Sequence, residues 1–335
     1  METIYILGID ISKKKFNLAL TIDAQNFYEA EVENNEKGIR TLFVNLKKRF
    51  SFNFSQLIVC MEHTGIYCQP LLDFLVKKSV KVCVESAIRI KQSQGMLRGK
   101  NDQVDAKRIA SYAFKNLNEL VFWKPQRAIL QRLKALLATR ERLSKVRVQL
   151  QVPLKECAGF VEKTVRDAML IHCSKPLRSL EQSIQKIEEA IMQLISEDEV
   201  ISNQVKLATS VPGIGNITAL HVILTTGEFN LIREPKKFAC YSGVAPFEHS
   251  SGTSVRGRTR VSKMANMNMK KLLHLGAMSA IQCSEELKTF YNRKVDQGKN
   301  KMSVLNAVRN KLISRIFACI KNNRMYQNNY QHVLV

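Results

Sequence analysis

The first 85 residues alternate short apolar runs with connections so brief that few chain paths are open to them. Residues 4–9 (IYILGI), 16–22 (FNLALTI) and 27–32 (FYEAEV) have the length and composition of strands. The gaps between them are too short for a crossover, so they must pair as antiparallel hairpins. Residues 36–50 then place Ile39, Leu42, Phe43, Leu46 and Phe50 at helical spacing, ahead of a basic tail. QLIVCM at 56–61 reads as a buried strand, about 66–78 as a helix, and VKVCVE at 80–85 as a further strand. Three hairpin strands followed by strands alternating with helices predict an α/β domain with a mixed sheet.

The order β-β-β-α-β-α-β is that of the ribonuclease-H-like fold. Beyond it the pattern changes. Residues 128–150 are charged and leucine-rich without Gly or Pro, and from Leu177 to about Glu199 the positions Leu180, Ile184, Ile187, Ile191 and Leu194 alternate by four and three. Both stretches predict long amphipathic helices, packed as a coiled coil or as a plain bundle, with the Pro153–Pro176 stretch supplying the reversal. From about Lys206 a mainly helical region follows, with helices expected near 264–283 and 302–321. The expected fold class is α/β plus α, in three parts: 1–120, a helical segment over 121–204, and 205–335.

Charge points to the partner. The 335 residues carry a formal net charge of +23, and residues 206–335 hold 20 Lys and Arg against 6 Asp and Glu. So large a positive excess attracts polyanions, which makes nucleic acid the first partner to expect. Eight cysteines show no C-x-x-C pair and no His at zinc spacing, and Cys60 and Cys83 lie inside apolar runs; reduced thiols, rather than structural zinc, are expected. No apolar run reaches the length of a membrane span or of a signal peptide, so the expectation is a cytoplasmic protein with no membrane partner, associated with the nucleoid of a bacterium or archaeon.

Four acids stand out against this basic background. Asp10 closes the first apolar run, Glu62 closes QLIVCM, and Asp102 and Asp105 stand three apart at the start of a helical stretch, on one face. Strand ends of an α/β sheet converge, so these carboxylates can share a site, where they would repel unless cations sat among them. Hard oxygen ligands of this kind suit Mg²⁺ or Mn²⁺. Each acid taken alone has a plainer role: Asp102 as a helix N-cap, Asp105 as a first-turn residue favoured by the helix dipole, Glu62 as a surface ion-pair partner.

The basic end carries two further features. Val211–Gly215 (VPGIG) reads as a turn between helices of the helix-hairpin-helix kind, in which Gly213 and Gly215 would let backbone N–H groups face a phosphate. Between Ser250 and Lys271 lie Arg256, Arg258, Arg260, Lys263, Lys270 and Lys271 with no acid among them, a composition suited to tracking phosphates. The three arginines alternate, so on a strand they would share one side.

GIDISKKKF, MEHTG and KNDQVDAKRIA resemble, in order and spacing, the three motifs of the DEDD transposases, the IS one-ten group of insertion-sequence recombinases that includes the Piv DNA invertases. FACYSGVAPFEHSSGTSVRG resembles the second signature of the same family. The resemblance spans nearly the whole chain, and its helical middle matches only in character. It implies a RuvC-like domain with Asp10, Glu62, Asp102 and Asp105 as a metal-binding quartet, and Ser242 as the nucleophile. Side-chain chemistry alone does not single out Ser242 from Ser250, Ser251, Ser254 or Ser262, and no nearby His activates it; His249 is seven residues away. The resemblance further implies a site composed from several protomers, a dimer or tetramer, acting on donor and target DNA under the guidance of a structured noncoding RNA. Two rivals remain: a RuvC-like nuclease or Holliday junction resolvase that uses water, and a non-catalytic nucleic-acid scaffold.

Overall fold

A computed structural model describes residues 3–93, 102–157, 159–251, 255–262 and 264–328, without the side chains of 102–103, 248–251, 255–258 and 260. The chain divides into two compact units, 1–125 and 126–335.

The first unit is built on five strands: β1 (Tyr5–Ile11), β2 (Lys15–Thr21), β3 (Tyr28–Glu33), β4 (Leu57–Glu62) and β5 (Lys81–Glu85). Their order in the sheet is β3-β2-β1-β4-β5. β1 pairs antiparallel with β2, and β2 with β3, as their short connections require, while β1–β4 and β4–β5 are parallel. This is the ribonuclease-H-like strand order. Its helices are α1 (Glu36–Phe50), α2 (Gln69–Lys77), α3 (Ala87–Gln92) and α4 (Asp102–Lys115). Asn35 starts α1 by accepting a hydrogen bond from the Gly38 N–H at 2.8 Å. The helix then buries Ile39, Leu42, Phe43 and Leu46, the apolar positions of its sequence pattern, against one face of the sheet.

The two faces of that sheet divide by residue parity. Leu7, Ile9 and Ile11 of β1 join Val59, Met61 and Val82 in the core shared with Ile39, Phe43, Leu71 and Leu75 of α1 and α2. Ile6, Cys60 and Cys83 turn the other way, onto Ile109, Tyr112 and Ala113 of α4. At Gly8 the approach is closest: a Cβ there would lie 2.3 Å from the Ala110 nitrogen and 2.4 Å from the Ala106 oxygen. Only glycine at 8, facing small residues on α4, permits this contact.

The second unit is mainly helical: α5 (Ala128–Glu156), α6 (Lys163–Ser196), α7 (Glu199–Thr209), α8 (Asn216–Thr226), α9 (Pro235–Tyr241), α10 (Met267–Cys283), α11 (Glu285–Asp296) and α12 (Lys301–Lys321). Between α9 and α10 runs a hairpin of β6 (Pro246–Ser251) and β7 (Val255–Val261), with a register shift between Phe247 and His249. The chain reversal is narrower than the sequence predicts. Pro153 lies inside α5 and Pro176 inside α6, and the turn falls between Glu156 and Lys163. A proline forfeits one helical N–H bond, and in helices this long the neighbouring bonds carry the helix past it. The heptad residue Ile191 is buried with Leu130, Leu133 and Leu137, with Ile187 and Leu194 packed against them, and the same core takes in Val205, Leu220 and Ile223 of α7 and α8. Residues 128–196 therefore share a core with the C-terminal region. No helix of the described residues is long and apolar enough to cross a membrane.

Candidate functional site

Strand register brings the first two acids together. Gly8 pairs with Cys60 and Ile9 with Met61 across β1 and β4, so the next residues, Asp10 and Glu62, stand side by side at the strand ends. Asp10 shares the parity of Ile6 and Gly8, and Glu62 that of Cys60, so both project on the face that α4 covers. Ile6 meets residues 109–113 of α4, and Gly8 meets 106–110; the helix therefore advances its N-terminal turn, with Asp102 and Asp105, toward the end of β1 that holds Asp10. Asp105 is part-buried and paired with Arg108 at 2.8 Å. The side chain of Asp102 lies outside the described residues. Among the described residues no group of three or more His, Cys, Asp or Glu side chains closes to metal-holding distance. The four acids offer only carboxylate oxygens, the set a hard divalent cation takes.

A further acid shares the face. Glu85 ends β5 in register with Glu62, yet its oxygens are occupied: they accept from the Ser86 N–H at 2.9 Å, from Arg89 at 3.2 Å and from the Tyr112 hydroxyl at 3.1 Å. Burial and the Glu85 charge push the Tyr112 hydroxyl up to about 12. Glu85 thus anchors α4 to the sheet edge. The sequence signal for it was the same as for Glu62, an acid closing an apolar run.

In the second unit the VPGIG turn joins α7 to α8, as its sequence predicts. The two glycines differ. Gly213 takes φ +83° and packs so tightly on α10 that a Cβ would lie 2.3 Å from the Gly276 oxygen. Gly215 is the N-cap of α8, supplies no side-chain cap, and has nothing within 4 Å of its Cβ position. It is Gly215, with the first amides of α8, that is open to an anion; Gly213 shapes the turn. Arg256, Arg258 and Arg260 all fall on β7 at alternate positions; their side chains, and the whole of Lys263, lie outside the described residues. Lys270 and Lys271 belong to the first turns of α10, with Lys271 exposed and the Lys270 Nζ 4.0 Å from the Cβ position of Gly243.

Ser242 closes α9 and is fully buried. Its hydroxyl donates back to the Phe238 carbonyl at 2.8 Å, within the helix it terminates. The segment that follows is pinned on two sides. The Asn266 N–H donates to the Tyr241 carbonyl at 2.8 Å, and the Asn306 amide donates to the Val244 carbonyl at 2.7 Å.

Comparison with known proteins agrees with this layout. A family model described as a DEDD transposase of the IS110 type matches residues 7–158, and one described as the transposase IS116/IS110/IS902 family matches residues 205–292. The chain is similar to the pilin gene-inverting protein of Moraxella bovis, 27% identical over 330 residues that cover 97% of this chain and 98% of that protein. The counterpart from Moraxella lacunata gives the same identity and coverage. It is also 26% identical over 208 residues, 55% of each chain, to the transposase for insertion sequence element IS1111A of Coxiella burnetii. Among solved structures RuvC of Thermus thermophilus aligns at 12% identity with a TM-score of 0.28, over 36% of this chain and 100% of that one. The first family match contains all four acids and the second contains Ser242, so that the two models, in chain order, place the protein in the IS110 family of DNA transposases.

Proposed function

We propose that the protein is an RNA-guided recombinase of an insertion sequence, exchanging DNA strands through a serine–phosphate bond. The observation that carries this is the strand register setting Asp10 beside Glu62 on the face approached by the helix bearing Asp102 and Asp105. These four residues would hold Mg²⁺ (or Mn²⁺), which when bound withdraws charge from phosphate oxygens. Ser242 Oγ then bonds to phosphorus as the bond from phosphorus to one deoxyribose oxygen breaks. The serine proton is lost to solvent, and the departing oxygen takes up a proton to become a free hydroxyl. Attack by another strand's hydroxyl on the phosphoserine reverses the sequence, without net hydrolysis. Because Ser242 is enclosed, the last turn of α9 must open first, giving up a hydrogen bond worth about 1 kcal/mol.

The acids and the serine belong to different units, which suits a site completed between protomers of a dimer or tetramer. Phe160 and Ile171, 90% and 70% exposed near the far end of the α5–α6 hairpin, suit the same assembly, with that hairpin as its coiled-coil element. The basic β7 strand, Lys263, Lys270, Lys271 and the Gly215 turn would grip the backbones of donor DNA, target DNA and guide RNA, all in the cytoplasm at the nucleoid. The burial of Ser242 favours a second reading, a RuvC-like nuclease or junction resolvase that uses water and leaves the serine structural.

One experiment separates them. The protein is incubated with Mg²⁺, junction-bearing DNA from the borders of its own gene and RNA transcribed from the adjoining noncoding segment. The recombinase forms a DNA-linked protein band, and Ser242→Ala abolishes it. A nuclease cuts equally well with Ser242→Ala and forms no band. In the double variant Asp10→Asn, Glu62→Gln, DNA binding persists while products vanish; a pure scaffold would show binding and no products in either form.

A further inference from the structure

Arg309 of α12 is 5% exposed, set among Val308, Leu312 and Ile313 in the core of the second unit. Among the described residues no carboxylate pairs with it. One guanidinium nitrogen donates to Asn306 Oδ1 at 3.1 Å and another lies 2.7 Å from His274 Nδ1, while Nε has no partner among the described residues. Burying an uncompensated guanidinium costs several kcal/mol, and an apolar side chain of like volume at such a position is often the more stable choice. Packing therefore does not explain this arginine. A negative group that arrives from outside does.

Its neighbours point the same way. Asn306 touches Arg309 with its oxygen and, with its amide, holds the Val244 carbonyl two residues beyond Ser242. Lys270 approaches Gly243, the residue after Ser242, and among the described residues it makes no ion pair. His274 stands one turn further along α10, on the same stripe as Lys270. A guanidinium can only donate, so His274 Nδ1 accepts and its Nε2 carries the proton, available as a donor. Burial, and then the Arg309 charge, push His274 down, which keeps it in that neutral form. Burial also pushes Arg309 down. Lys270 thus stands at the turn that follows Ser242, and Asn306 ties that turn to the Arg309–His274 pair.

We infer that Arg309, with Lys270 and His274, is the seat of the scissile DNA phosphate during the Ser242 step, holding its non-bridging oxygens as the α9 turn opens. This rests on Ser242 being the nucleophile. Asn306 ties the turn that hides the serine to the arginine, through the Val244 carbonyl and its own Oδ1, so opening that turn frees the residue that holds Arg309. Charge-assisted bonds to the phosphate then supply the partner that the Arg309 Nε lacks.

The test uses the full chain expressed from a plasmid that carries its gene with its own flanking DNA, with the covalent protein–DNA adduct recovered after denaturing lysis. Thermal unfolding and plasmid-DNA binding are measured on each purified variant. Arg309→Gln should lower adduct yield by about 100-fold, the loss usual for one anion-stabilising donor, with DNA binding changed less than about twofold, and Lys270→Gln should lower adduct yield by far more than it weakens DNA binding. Arg309→Lys should recover part of the yield. Arg309→Met should melt no lower than the parent and still lose the adduct, which a merely structural arginine would not do. If Arg309→Gln fails to unfold cooperatively, Lys270→Gln and Arg309→Lys decide: a lowered yield supports the assignment. Unchanged adduct yield in the folded variants, with Ser242→Ala still abolishing it, would overturn the phosphate seat alone. Adduct that survives Ser242→Ala would overturn the serine reading and this one together.

Discussion

Asp10 and Glu62 lie half-buried at strand ends, placed by the pairing of β1 with β4, whereas Ser242 is enclosed at the end of a helix and bonded to its own carbonyls. The first unit leaves its candidate acids half-buried at strand ends and fixes them through backbone geometry. The second holds its groups closed and fixes them through side-chain contacts among α9, α10 and α12. A sheet edge cannot hide an acid without leaving it unsolvated, so carboxylates stay near water. A serine hydroxyl is satisfied by a carbonyl four residues back and is stored in a core at little cost.

The sharpest way to break this contrast is Gly8→Val. Its Cβ would meet the α4 backbone, which cannot yield locally, so the helix must move off the sheet. We expect a loss of about 3 kcal/mol or more, read by chemical denaturation; a loss under about 1 kcal/mol would show that backbone approach does not set the first unit. The helical unit has a comparable point at Gly213, where φ is +83° and Gly276 is in contact. Gly213→Ala should cost about 2 kcal/mol, against a near-neutral Gly215→Ala; equal effects would erase the distinction between the shaping and the open glycine.

Asp198 sharpens the comparison through pH. It caps α7 by accepting from the Ile201 N–H at 3.0 Å and pairs with Arg127, which also reaches Glu228. The Arg127 hydrogen bond, then the Ile201 N–H, hold its carboxyl below the usual range. A depressed carboxylate stabilises the fold above its unfolded value near pH 4 and loses that contribution as pH falls through the lower folded value. Asp198→Asn should therefore cost about 1 kcal/mol at pH 7 and progressively less as pH falls below about 4, by thermal unfolding at each pH. A constant difference would mean the cap acts without its charge. A small effect on stability is expected from Ser242→Ala, below about 1 kcal/mol, because the hydroxyl and its acceptor lie on one helix. A larger loss would make the serine a structural pin rather than a stored group.

Much of the first unit was legible because its signals are local: period-two strands, a period-3.6 helix and connections too short for any other pairing. Parity alone then carries Asp10 and Glu62 to one face. The second unit was legible in outline. The VPGIG turn, the arginine hairpin and two of its helices stand where their patterns place them, but α11 was missed: its polar, charged run with one buried leucine, Leu287, carries little periodicity. The burial of Ser242 depends on contacts with residues far along the chain, and Arg309 looked like one more basic residue among many. Only packing shows that it is an arginine without an acid.

For the metal site proposed above, the missing methyl at position 8 bears on ion choice. Distances among the acids descend from the spacing of hydrogen-bonded strands and from how near α4 rides to them, neither of which is a property of any ligand. Magnesium and calcium differ by about 0.4 Å in the oxygen distances they accept. A lineage of such proteins could retune which ion it prefers by trading small residues along the α4 seam, leaving every carboxylate untouched.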